Sequence, residues 1–256
     1  MTSLPALLAQ AQRTDTGFTT AIPSNWLQGR TAYGGLSAAL ALAAAKQIES
    51  ELPPLRSAQV AFVGPLAGPV TVTATKLRRG RNAAFIQSDI VSEAGLGLRT
   101  TFVFMAALSS AIDHDTTTPA RHAPPPADAQ LYTGPPGFFT GNFNFYDIKD
   151  AAGPTEWLRW GRLIEREGLD PEVELMALGD ALPPAAFKLF EKMTPLSSLS
   201  WIVNFVRPRP VTTDGWWLLH AETDVAREGY SSQAMRMWNA DGTLVAEGKQ
   251  GVAIFG

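Results

Sequence analysis

The chain has 256 residues, 45% of them hydrophobic, enough for one large core or two small ones. Its 21 basic and 24 acidic residues are spread without long blocks, so no positive stripe exists to neutralise a run of nucleic-acid phosphates. The lack of cysteine excludes disulfides, cysteine-ligated zinc, iron-sulfur clusters and thiol nucleophiles, and it fits a reducing cytoplasm.

Met1 to Gln12 lacks the basic head of a secretory signal, and the longest apolar run, Leu36 to Ala45, is too short to span a bilayer. A cytoplasmic protein with no membrane partner is therefore expected. Gly34 and Gly35 open the stretch Leu36 to Gln47, which is apolar around its whole circumference and predicts a helix buried on every side. Gly35-Leu36-Ser37-Ala38-Ala39 imitates the nucleophile elbow of serine hydrolases. That motif needs alternating strands and helices, whereas consecutive strands follow here, so Ser37 is read as helix packing.

Alternation of Val70, Val72 and Ala74 with Thr71, Thr73 and Thr75 predicts a strand, and Ala83 to Val91 and Arg99 to Met105 predict two more. Arg79-Gly80 and Glu93-Ala94-Gly95 read as the hairpin turns between them. Ser109 to Gln130, with its clustered Pro, Thr, Ala and His, has no apolar periodicity and reads as a linker between units spanning 1–108 and 131–256.

Beyond the linker, Asp170 is placed to cap a helix that begins with Pro171 and carries Glu172 and Glu174 in its first turn, with Pro183 and Pro184 ending it. Strands are then predicted over Leu199 to Val206, Trp216 to Val225, Ser231 to Trp238 and Thr243 to Phe255. The order of the first half thus recurs, and Phe62-Val63-Gly64-Pro65 matches Phe205-Val206-Arg207-Pro208. A duplicated unit is expected: one long helix followed by about four antiparallel strands that wrap around it, an α+β fold. The three histidines, His114, His122 and His220, show no metal-ligand spacing, and neither a metal nor another cofactor is expected.

With these elements in place the chain resembles the type II acyl-CoA thioesterase family, whose members carry two hotdog folds in tandem. The resemblance covers nearly the whole chain. It rests in the first half on Tyr33-Gly34-Gly35, Phe62-Val63-Gly64-Pro65 and Arg78-Arg79-Gly80, and in the second on Arg207-Pro208 and the stretch Asp241 to Ala246. It implies a tandem double hotdog, an acyl-CoA substrate, and a homodimer or higher homo-oligomer. The family's catalytic Asp, Thr and Gln fall on Asp180, Ser198 and Gln250. Ser198 stands where the family has Thr, and its neighbour Ser197 is an alternative for the same role.

Thioester hydrolysis needs a positioned water, an acceptor for its proton, and donors for the developing oxyanion. On the resemblance, Asp180 accepts from water while Ser198 and Gln250 orient it. A backbone N–H of Tyr33, Gly34 or Gly35, at the positive end of the first helix, would point at the substrate carbonyl. Taken singly, Asp180 reads as a solvated helix-end carboxylate, Gln250 as an exposed strand residue and Ser198 as a turn or strand-start hydroxyl. Their joint registration points to a site. The competing readings are a non-catalytic acyl-CoA or lipid-binding protein of the same fold, and an acyl-thioester hydratase, whose Asp and His pair has no counterpart beside the buried helices.

Overall fold

Hydrophobic alternation broken by Gly-containing turns favours hairpins, and hairpins build nearly the whole molecule. The computed structural model describes residues 1–148, 152–192 and 194–255. The first half contains α1 (Leu4–Gln10), β1 (Gln12–Thr14), β2 (Gly17–Ile22), a ribbon of β3 (Leu27–Gln28) and β4 (Thr31–Ala32), and the long helix α2 (Gly34–Gln47). Strands β5 (Leu55–Phe62), β6 (Gly68–Arg79), β7 (Ala83–Ser92) and β8 (Gly95–Met105) follow. In the second half, β9 (Phe143–Asp147) and β10 (Glu156–Leu163) precede α3 (Pro171–Gly179), and β11 (Leu196–Phe205), β12 (Trp217–Arg227), β13 (Tyr230–Asn239) and β14 (Leu244–Ile254) come after it.

Among the described residues, twelve strands make one antiparallel sheet in the order β1-β2-β6-β7-β8-β5-β11-β14-β13-β12-β10-β9. Read outward from the β5–β11 seam, both directions have the same connectivity. The predicted helix followed by four strands is present in each half, but each also has strands before its helix, β1 and β2 or β9 and β10. These are hard to see in sequence for a physical reason. β10 is covered on both faces, with Trp160 buried in an apolar cluster on the outer face and Leu163 in the main core, so it lacks the polar alternation of a one-sided strand.

The main core is continuous between the halves. All of Gly35 to Ala45 except Ala43 is buried, as expected of an Ala-rich helix that must sit close to a curved sheet. α2 and α3 run antiparallel and are clamped at both ends. At one end Asp170 caps α3 by accepting from Glu172 N at 2.9 Å and Val173 N at 3.2 Å, and Lys46 Nζ lies 2.6 Å from both Asp170 and Glu172. At the other the Tyr33 hydroxyl donates to Ala177 O at 2.7 Å. This antiparallel contact brings the start of the first-half helix against the end of the second-half helix.

Residues 106–131 carry no helix or strand. They nonetheless lie across the outer face of the second half. Trp238 Nε1 donates to Thr118 O at 2.8 Å, Ala120 N donates to Gly242 O at 2.9 Å, and Asp115 pairs with Arg207. Ala120 and Leu131 pack on the outer cluster of Trp160, Trp216, Leu218, Trp238 and Leu244. No helix among the described residues is long and apolar enough to cross a membrane.

Candidate active site

Asp180 is the C-cap of α3. Its Oδ1 accepts from Gln250 Nε2 at 2.7 Å, and the carboxylate also accepts from the backbone N–H of Gly35. Its Oδ2 faces Gly34, where an added Cβ would come within 2.5 Å of that oxygen and 2.8 Å of the Phe62 ring. At Gly35 an added Cβ would collide with the Ala177 carbonyl and the Tyr33 ring. Both glycines are therefore required by close approach. Gln250, Gly34 and Gly35 thus converge on Asp180, with Phe62 closing the first-half side.

Burial raises the Asp180 carboxyl to about 7, against the opposing pull of the hydrogen bonds from Gln250 and Gly35. The carboxyl is walled in by protein, while the residue as a whole keeps intermediate exposure. Tyr33 is fully buried and stacked on Phe139 with ring centroids 4.2 Å apart. Burial and the charge of Asp180 push its phenol well above the usual range, so it remains a protonated donor to Ala177. Of the three backbone N–H groups that the sequence offers as alternatives, Tyr33, Gly34 or Gly35, two are engaged within the protein. Tyr33 N donates to Trp26 O at 2.9 Å and Gly35 N to Asp180, leaving Gly34 N–H without a partner among the described residues.

Gln250 is 3% exposed, contrary to its reading as a surface strand residue. It lies on the helix-facing side of β14, opposite Trp201 of β11 and Gln233 of β13. Its Oε1 accepts from Gln233 Nε2 at 2.6 Å, and Gln233 Oε1 accepts from Ala185 N at 2.7 Å. Gln233 escaped the sequence reading. One signal was available: it stands eight residues before Asp241 and Gln250 eight after Gly242, so a hairpin turning at Asp241-Gly242 sets the two amides opposite each other.

Ser198 pairs with Val252, two residues from Gln250 on β14. An irregularity between Ser198 and Ser200 leaves Leu199 as an extra residue. That bulge turns Ser198 to the face shared by Trp201 and Gln250, whereas Ser197 pairs with Ala253 and is exposed. The backbone therefore chooses Ser198 over Ser197 as the serine on the site's face. Its hydroxyl makes no hydrogen bond to Asp180 or Gln250 among the described residues, so the structure joins Asp180 to Gln250 directly and leaves Ser198 as a neighbour. His220 lies on the opposite face of the sheet, near Trp238, and forms with Glu156 and Glu222 a group whose ligand-type atoms fall within 4.8 Å of one another.

Two family models match the chain. Residues 22–107 match the acyl-CoA thioesterase N-terminal domain and residues 108–254 the acyl-CoA thioesterase C-terminal domain. The chain belongs to the acyl-CoA thioesterase family. Solved structures agree on the fold of this thioesterase. A conserved hot dog fold protein of unknown function from Alicyclobacillus acidocaldarius superposes with a TM-score of 0.83 at 20% identity, covering 98% of this chain and 97% of that one. A putative thioesterase II from Thermobifida fusca gives 0.82 at 19% identity, covering 99% and 98%. The tesB protein of Mycobacterium avium subs paratuberculosis gives 0.79 at 19% identity, covering 98% and 97%. No curated protein matches the chain.

Proposed function

We propose that the thioesterase comprises two hotdog units in tandem, 1–108 and 131–256 joined by 109–130, and that it hydrolyses acyl-CoA by direct attack of water. The observation that carries this reading is the convergence of the Gln250 amide and the Gly35 N–H on the Asp180 carboxyl, which burial raises to about 7. A carboxylate that titrates near neutrality is matched to taking a proton from water at physiological pH. As water adds to the thioester carbon, its proton passes to Asp180 and negative charge builds on the carbonyl oxygen. That oxygen is met by the Gly34 N–H at the positive end of α2. Collapse of the adduct breaks the C–S bond, and coenzyme A leaves as a thiol after taking up the proton. Gln250 directs one N–H at Asp180 and leaves its second for the water or the substrate. Ser198 completes the polar wall.

Thiol release from a panel of acyl-CoA chain lengths, by the wild type and by Asp180→Asn, tests this. The expected result is turnover by the wild type and a loss of about 10²- to 10⁴-fold in kcat for the variant. Binding of acyl-CoA without thiol release at any chain length would leave a binding protein instead. Association into a homodimer or larger homo-oligomer belongs to the same proposal, and light scattering tests it.

A further inference from the structure

A glutamine amide presents an oxygen on one side and an NH2 on the other, and a half-turn exchanges them. Whether Gln250 offers Asp180 a donor or an acceptor therefore depends on what holds its far side. Its far side touches Gln233, another amide with the same ambiguity. The ambiguity ends one bond further on, at a backbone N–H that can only donate. Ala185 opens the short 3₁₀ turn after Pro183-Pro184, and its N–H meets the Gln233 side chain at 2.7 Å. Gln233 must then present oxygen to Ala185 and NH2 to Gln250, so Gln250 must present oxygen to Gln233 and NH2 to Asp180.

We propose that Gln233 is a positioning residue for hydrolysis: it transmits the fixed polarity of the Ala185 N–H through two amides and so locks the Gln250 NH2 on the Asp180 carboxylate. The inference rests on the roles proposed above for Asp180 and Gln250. Gln233 is fully buried and makes no hydrogen bond to Asp180 among the described residues, so it acts through Gln250. Without it, the Gln250 amide is free to turn, and each turn sets oxygen against carboxylate.

Two substitutions remove this lock differently. Gln233→Met keeps the shape and abolishes both hydrogen bonds. Gln233→Glu keeps an acceptor for Ala185 and preserves the local fold if the first variant does not, but its carboxylate draws the Gln250 NH2 toward itself and away from Asp180. Both are to be assayed alone and in a Gln250→Met background, with the Asp180 carboxyl followed by carbon-13 NMR titration. Each single variant is expected to lose about 10- to 100-fold in kcat, with KM within about threefold. Each should also move the Asp180 titration to higher pH. Neither should lower kcat further once Gln250 is replaced, because the two residues act as one unit.

A folded Gln233 variant with kcat within about twofold of wild type and an unmoved Asp180 titration overturns the proposal, as does an equal loss with and without Gln250. Failure of the underlying reading looks different. Full turnover by Asp180→Asn, with the Asp180 titration still displaced by Gln233→Met, removes the hydrolytic role of Asp180 and upholds the positioning of Gln250 by Gln233.

Discussion

The two halves of the chain share one connectivity, so they can be compared position by position. Aligning Phe62 with Phe205 carries the register along both sheets. Ser198, paired with Val252, then corresponds to Leu55, paired with Phe104, and both strands have their irregularity at that point. Gln250, opposite Trp201, corresponds to Phe102, opposite Ala58. Gln233, opposite Gln250, corresponds to Ile86, opposite Phe102. These three polar strand positions are all apolar in the first half, and Leu55, Ile86 and Phe102 are completely buried. The backbone is common to both halves and the chemistry is not. In one half the space beside the helix is filled with hydrocarbon, and in the other it is wired to a carboxylate. The first half contributes instead through the start of α2, whose glycines seat Asp180, so the proposed site belongs to the pair of units and occurs once per chain.

The comparison breaks most severely if polar groups are removed from the second half. Gln250→Met retains length and loses both donors, making that position resemble Phe102. It should cost about 10²-fold or more in kcat, the scale of losing a transition-state hydrogen-bond donor. The reciprocal Phe102→Gln should confer no activity and destabilise the fold by roughly 2–4 kcal/mol, since the residues opposite it, Ala58 and Ile86, are apolar. Urea unfolding and steady-state assays of both variants check the pair. Full activity in Gln250→Met would remove the distinction between the halves.

A smaller effect, but a more diagnostic one, concerns pH. Burial raises Asp180 from an ordinary 3.8 to about 7 in the folded chain. Its contribution to stability is therefore fully present below about pH 3.8 and is lost as pH rises through 7. Activity moves the opposite way, because the base form works, and kcat/KM should climb through an acid limb near pH 7. Asp180→Asn should lose the limb and gain stability relative to wild type as pH is raised from about 5 to about 8. No other described group in the site supplies an equivalent signal.

Much of this was legible in the sequence, for reasons that also explain what was not. α2 announces itself by an uninterrupted Ala and Leu stretch, and α3 by Asp170-Pro171, because caps and propensities are local. The alternating strands announce themselves by their one-sided burial. Resemblance supplied Asp180, Gln250 and the Tyr33-Gly34-Gly35 start. Non-local geometry stayed hidden: the meeting of α2's start with α3's end, the burial of Gln250, and the strap of 106–131 across the outer face. Gln233 was hidden in the same way, since a buried glutamine in a strand has meaning only once its partner across the hairpin is known.

The smallest expected effect separates two adjacent serines. In a regular strand running back from Trp201, alternation would bring Leu199 and then Ser197 to the site's face. The extra residue at Leu199 shifts the phase by one, which places Ser198 beside Val252 and turns Ser197 outward. Ser198→Ala should therefore lower kcat by a few-fold to about tenfold, less than the Asp180 or Gln250 changes because its hydroxyl bonds neither of them. Ser197→Ala should leave kcat within about twofold. Deleting Leu199 restores the regular phase and is expected to exchange the two results, with Ser197 becoming the sensitive position. If both alanine variants behave alike in the intact strand, the bulge has no part in selecting the hydroxyl. The shared irregularity at Leu55 and Ser198 would then be a feature of sheet curvature alone, common to a half with polar chemistry and a half without it.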